Sequence, residues 1–321
     1  MAQADKSRHI IAANEIQPFD KSKLILAALG AAIEQSPPLD RRALFGFNAL
    51  VQTPTVILSN TDFDFEFDIP FDDDMEANEA TITIYNLCDD TANRFKVGNS
   101  TSITAGYGSD TGIIFSGWIS KVKTAYDGVD RITTIYALDD AQYSPQMMNE
   151  VTYAEGTKAS KILKDLLDRL GLPIAVFKPQ RDHTYDSETK VDGSIVESIK
   201  EYSDVCGVST YVYKQQIYCR PIWDGDNLRF SVTEDTGMIG SPEPFEEKND
   251  SEEYTDHVTG YNVTMLLQHR LTTAGIVKII SKNNSGEYRI VSGSHKFDGL
   301  SATTEFKAIE NITTTVNQQS S

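Results

Sequence analysis

The chain of 321 residues carries a formal net charge of −18, with 40% hydrophobic and 24% charged residues. That length exceeds one ordinary core and predicts two or three domains of a soluble globular protein. The acidic balance excludes a sequence-independent nucleic-acid binder, which needs basic patches to displace counterions.

Residues 1–50 read as an N-terminal extension. Ser22 to Glu34 predicts a short helix with Ser22 as N-cap and Pro37-Pro38 beyond its end. The longest apolar run, Leu24 to Ile33, is about half of the ~20 residues that span a bilayer, so membrane insertion is not expected. Upstream charge and a poor cleavage context argue against a signal peptide, and the protein is expected to be made in the cytoplasm.

Residues 51–151 predict a β-barrel. Val51 to Leu58 reads as one strand, and Phe63 to Phe71 follows with every odd position apolar. Asp62, Asp64, Glu66 and Asp68 occupy its even positions, so the period of two gives one buried and one anionic face. Asp72-Asp73-Asp74 reads as a solvated turn, and Ala80 to Leu87 returns as the second strand of a hairpin. Residues 62–90 hold eleven acids and no Lys or Arg. Ser102 to Tyr107, Ile113 to Lys123 and Arg131 to Leu138 complete the set, with Asp127-Gly128 as a tight turn.

Residues 152–221 predict a small α/β domain. Thr157 to Leu170 forms an amphipathic helix capped by Thr157 and stopped at Gly171. Ser194-Ile195-Val196-Glu197 is a capping box that opens a second helix, ended by Gly207. Val208 to Tyr213 and Ile217 to Arg220 form a hairpin.

Residues 222–310 return to β. Leu228 to Thr233, His257 to Leu267, Gly275 to Ile280, Glu287 to Ser292 and Thr303 to Ile309 read as strands, with an acidic loop from Glu234 to Asp256. Residues 311–321 read as a flexible tail. The predicted class is mainly β (α+β), with two small β-barrels and the α/β domain between them.

No segment carries recognisable catalytic chemistry. Gly106 to Gly112 spells G-x-G-x-x-x-G, out of step with a dinucleotide loop and better read as a glycine-rich hairpin turn. The paired carboxylates lie on strand faces and loops, where ionised acids are expected, whereas a glycosidase needs one acid held protonated in an apolar pocket. Asp72-Asp73-Asp74 with Glu76 or Glu79 lacks the register of a calcium loop. Cys88, Cys206 and Cys219 have no zinc or disulfide spacing and read as reduced thiols, so no metal and no cofactor is expected.

The order of an F-x-F-x-F strand, an acidic turn, and Ile84-Tyr85-Asn86-Leu87 resembles the opening of the first barrel in bacteriophage tail baseplate hub proteins, relatives of the hub half of type VI secretion spike proteins. The pattern continues through Gly106, Gly117-Trp118 and Asp139, then Ala159 to Leu172, Gly275 and His295, covering residues 51–310. The resemblance implies a structural homotrimer whose six barrels match the sixfold tail tube and whose base meets the threefold central spike. It also implies the tape measure protein and baseplate wedge components as partners, passage of DNA without adhesion, and a place in the virion tail. In that setting Asp62, Asp64, Glu66, Asp68, Asp72, Asp73 and Asp74 are candidate channel-lining or interface acids, the first strand having no Lys or Arg to offset them. The alternatives are a receptor- or carbohydrate-binding tail-tip protein and a cell-wall-degrading tail lysin. Trp118 lies inside a strand and Trp223 follows a proline-containing segment, so neither supports a sugar-binding loop cluster.

Overall fold

The computed structural model describes residues 44–316, apart from 140–146, 214–215, 251–253 and 283. The expected helix at Ser22 to Glu34 lies outside the described residues. Among the described residues the chain is mainly β, and most of the strands belong to one sheet of thirteen.

The first half supplies β1 (Phe47–Gln52), β2 (Ile57–Ser59), β3 (Phe65–Asp72) and β4 (Glu79–Tyr85). A single turn of helix, α1 (Asp89–Ala92), precedes β5 (Ser100–Tyr107), β6 (Asp110–Asp127) and β7 (Asp130–Leu138). Val51 to Leu58 is thus two antiparallel strands rather than one, because Thr53 Oγ1 accepts from the backbone of Val56 and turns the chain. The alternation in β3 buries Phe65, Phe67 and Ile69 and turns Glu66 and Asp68 outward. Phe63 is buried as well, although the strand begins two residues later.

The middle segment contains β8 (Met147–Tyr153), α2 (Ala159–Arg169), β9 (Ile174–Phe177), β10 (Thr189–Ser194), α3 (Ile195–Cys206), β11 (Ser209–Tyr213) and β12 (Gln216–Arg220). β8 pairs with β10, while β9 joins β12 in parallel; neither arrangement shows in the sequence period. Ser194 caps α3 by accepting from the Glu197 N–H, and Gly207 ends it in the left-handed conformation at φ 65°. Thr157 does not cap α2, since its hydroxyl donates to Ala154 O at 2.6 Å. Asp182 takes that role from elsewhere in the chain, accepting from the Ser160 N–H at 3.1 Å.

The last segment holds β13 (Asp226–Val232), β14 (Met238–Asp250), β15 (Tyr254–Leu266), β16 (Gly275–Ile280), β17 (Ser285–Phe297) and β18 (Ala302–Val316). The expected acidic loop from Glu234 to Asp256 is instead mostly a long hairpin of β14 on β15. Likewise residues 311–316 are not a tail, because β18 stays paired to β15 as far as Val316.

Sheet order is β14-β15-β18-β17-β3-β4-β7-β6-β5-β1-β2, with β13 attached through β16 to β17. The first and last segments are therefore joined strand to strand: β17 pairs antiparallel with β3 from Ser292–Asp72 to Phe297–Phe67. Apolar residues of β1 to β7 form one core, into which Leu267, Phe297 and Ala302 reach from the other end of the chain. A second core lies between α2, α3 and their strands, and a third under β13 to β18. Burial of side chains such as Phe65 and Ile69 contributes roughly 1.5–3 kcal/mol each.

Candidate functional site

The acidic hairpin divides into two parts with different surroundings. Asp62 and Asp64 precede β3 and are exposed, as is Asp68 within it, while Glu66 is half-buried and accepts a hydrogen bond from Tyr85 Oη at 3.0 Å. The expectation that nothing offsets this charge holds for the strand and fails for the sheet. Lys296 of β17 stands directly opposite Asp68, held by Glu305 at 2.7 Å. On the other side, Lys121 and Lys123 of β6 lie over the Tyr136 ring, which shares the face through Thr81 of β4. The same face adds Lys307, paired to Glu247. It is a mixed-charge surface, because strands distant in sequence bring lysines to it.

The turn that follows is no solvated tip. Asp73 is largely enclosed: its Oδ2 accepts from Arg289 Nη1 at 2.6 Å and from Ser209 Oγ at 3.1 Å. Arg289 is buried in β17, and its Nε donates to Asp224 O at 2.9 Å. Two residues on, Met75 inserts its side chain into the core between α2 and α3. One turn thus ties together the first strands, the α/β segment and β17. Beside it, Arg220 is buried against Tyr211 and pairs with Asp226 at 2.8 Å.

Asp72 departs from the expectation of ordinary ionised acids. Burial, reinforced by the charge of Asp74, pushes its pKa up to about 6, although hydrogen bonds from Asp74 N and Asn78 Nδ2 oppose the shift. Asp74 is exposed and accepts from the backbone of Glu76 at 2.7 Å. These carboxylates are spent on their own turn and on Arg289. Among the described residues, no group of three His, Cys, Asp or Glu side chains is arranged to hold a metal ion. Cys88 is exposed, and Cys206 and Cys219 are buried and free.

The remaining signature positions divide between backbone geometry and packing. Asn86 has φ 55° and its side chain bridges to Asp130 and to Arg131 N, closing the end of β4 over β7. Leu87 belongs to the first core. A Cβ on Gly106 would lie 2.1 Å from Asp110 O, and one on Gly117 equally close to Leu138 O. Trp118 is half-buried in β6. Asp139 accepts from both the backbone and side chain of Asn78, locking β7 to the β3–β4 turn. At Gly275 a Cβ would meet Leu228 at 2.5 Å. His295 is fully enclosed between Phe71, Thr304 Oγ1 at 2.8 Å and Leu271 O at 3.2 Å, and burial lowers its pKa to about 4.

Sequence reasoning missed one constellation altogether. The glycine-rich turn presents Asp110 to Arg270 in a two-pronged pair at 2.6 and 2.7 Å, with His269 Nε2 at 3.0 Å from the same carboxylate. Burial alone would raise the Asp110 pKa, but the Arg270 and His269 contacts hold it at about 2. Gly112 leaves room for the His269 ring, which a Cβ would strike at 2.3 Å. A partner 160 residues away leaves no signal in either local stretch.

This geometry consists of joints between segments and an open strand face. Two solved structures share the fold at 8% identity and a TM-score of 0.53. They are the tail protein from Neisseria meningitidis MC58, with 83% of this chain and 97% of that chain covered, and the 43 kDa tail protein of prophage MuSo2 from Shewanella oneidensis, with 83% and 98% covered. The E. coli c3393 protein, a component of the type VI secretion system, aligns at 10% identity and a TM-score of 0.48 over 78% of this chain and 74% of its own. No curated protein sequence matches. Residues 81–307, over two thirds of the chain, match the family described as Baseplate hub gp41, and the chain belongs to that family. It is a structural protein of the tail baseplate.

Proposed function

We propose that three copies form a ring that joins the sixfold tail tube to the threefold central spike and lets DNA pass. The observation that carries this reading is the β3–β17 pairing, which sets the first and last β segments side by side in one sheet. Two such units in each of three chains make six, the number a sixfold tube requires, and closed cyclic symmetry is the usual outcome for heterologous contacts between copies.

In this reading residues 51–151 and 222–310 are the two tube-type, barrel-like domains, and residues 152–221 form an α/β module set on their outside. The outward carboxylates of β3 face the channel and discourage DNA from sticking, while tape measure and wedge proteins meet the ring elsewhere. The protein acts as a part rather than a catalyst.

Light scattering coupled to size exclusion tests the reading. Three chains per particle are expected, and a stable dimer would overturn it.

A further inference from the structure

The face that carries Glu66, Asp68 and Lys296 changes character along the sheet. Directly opposed residues of antiparallel neighbours share a face, so the pairing of β2, β1, β5 and β6 can be followed across it. Leu50 stands opposite Ser59 on one side and Thr104 on the other, and Thr104 stands opposite Ile113. In the next row Gln52 lies between Ile57 and Ser102, which faces Ser116. From β2 to β6 as far as Trp118, the outward positions are Asn, Gln, Ser, Thr, Gly, Ile, Leu and Trp only. No charged side chain occurs on this stretch, in a chain that is 24% charged. Charge begins abruptly at Lys121 and Lys123 and continues through β4, β3, β17 and β18.

Within the stretch Ile113 is 51% exposed and Leu50 is 40% exposed. Sheet twist of about 20° per strand turns β1 by roughly 100° from β3 over five steps, so the neutral and charged stretches look in different directions.

Which partner suits a neutral face follows from the charge of the chain. A charged partner would be drawn to the mixed-charge stretch around β3, where acids and lysines stand together. A copy of this chain brings another −18, and like charges brought into contact and desolvated are costly. On the neutral face a second copy meets no charge that has to be stripped of water, so that cost is absent on this side of the contact. We propose that the outward face of β2, β1, β5 and the first part of β6 is the surface on which a second copy of this chain docks. The inference rests on the self-assembly put forward above and assigns it a place.

The test uses the full-length chain and three double variants: Thr104→Glu with Ile113→Glu, Leu50→Glu with Ser102→Glu, and the control Thr81→Glu with Thr83→Glu on the charged stretch. All six positions point outward, and thermal unfolding verifies that each variant folds. Light scattering at matched concentration should show the wild type and the control as trimers and the first two variants as single chains, a threefold fall in mass. If folded neutral-face variants keep the wild-type mass, the face is not the contact, and the ring reading survives without it. A wild type that stays monomeric at every concentration overturns both, and a control that dissociates like the others overturns the assignment to the neutral stretch.

Discussion

Asp73 and Arg289 show what the acidic run does at the level of single residues. Arg289 is buried, so removing Asp73 leaves an enclosed guanidinium without its counter-charge, at a cost of about 3–5 kcal/mol. Asp73→Ala and Arg289→Ala are each expected to lower stability by that order in urea unfolding, while the double variant loses less than their sum. Additive losses would mean the pair is uncoupled. Asp72 behaves oppositely. Its folded pKa of about 6 lies above the unfolded carboxylate value, so its contribution is fully present below about pH 4 and is lost as pH rises through 6. Asp72→Asn should therefore stabilise the protein at pH 7.5, on the order of 1 kcal/mol after solvent screening, and give no gain at pH 3.5. The reverse pattern would show that burial is not what raises this group. His295 works against Asp72 over the same range: its pKa of about 4 makes its contribution present above 6.5 and lost as pH falls. The wild-type pH profile mixes the two, and the difference between Asp72→Asn and wild type separates them.

The elements divide by whether their determinants are local. The N-cap at Ser194, the stop at Gly207 and the alternation in β3 are written within a few residues, and the sequence reading of α3 and β3 agrees with the structure to within two residues, although of the expected capping box only the Ser194 half forms. The cap of α2 is different. Thr157 has the right residue type at the right place, yet its hydroxyl is taken by Ala154, and Asp182 arrives from 22 residues away. Asp182→Ala should cost about 1 kcal/mol by thermal unfolding and Thr157→Ala clearly less. Equal losses would return the cap to Thr157. The long β14–β15 hairpin was hidden for another reason: Pro242, Pro244 and a run of acids look like a loop by composition, but β14 lies at the sheet's edge, where proline and charge are tolerated. As for the candidate site, the outward acids of β3 were legible from their period. The lysines opposite them and the partners of Asp73 and Asp110 were not, because each comes from a strand or connection far along the chain.

Across the whole molecule, one sheet links the two β segments, and the acidic turn fastens the α/β segment to both through Asp73 and Met75. That arrangement suits a rigid part whose open faces meet other copies and pass a polyanion. Charge reversal at Asp64, Glu66 and Asp68 to Lys should leave particles that assemble but eject DNA slowly, and more slowly at low salt, where the added lysines attract phosphate most strongly. Failure to assemble would instead make the face an interface between proteins. Averaged electron-microscope images of the purified protein show directly whether the ring exists. A threefold ring with six lobes around an open centre is expected; a twofold particle, or a disc closed at its centre, would rule the ring out.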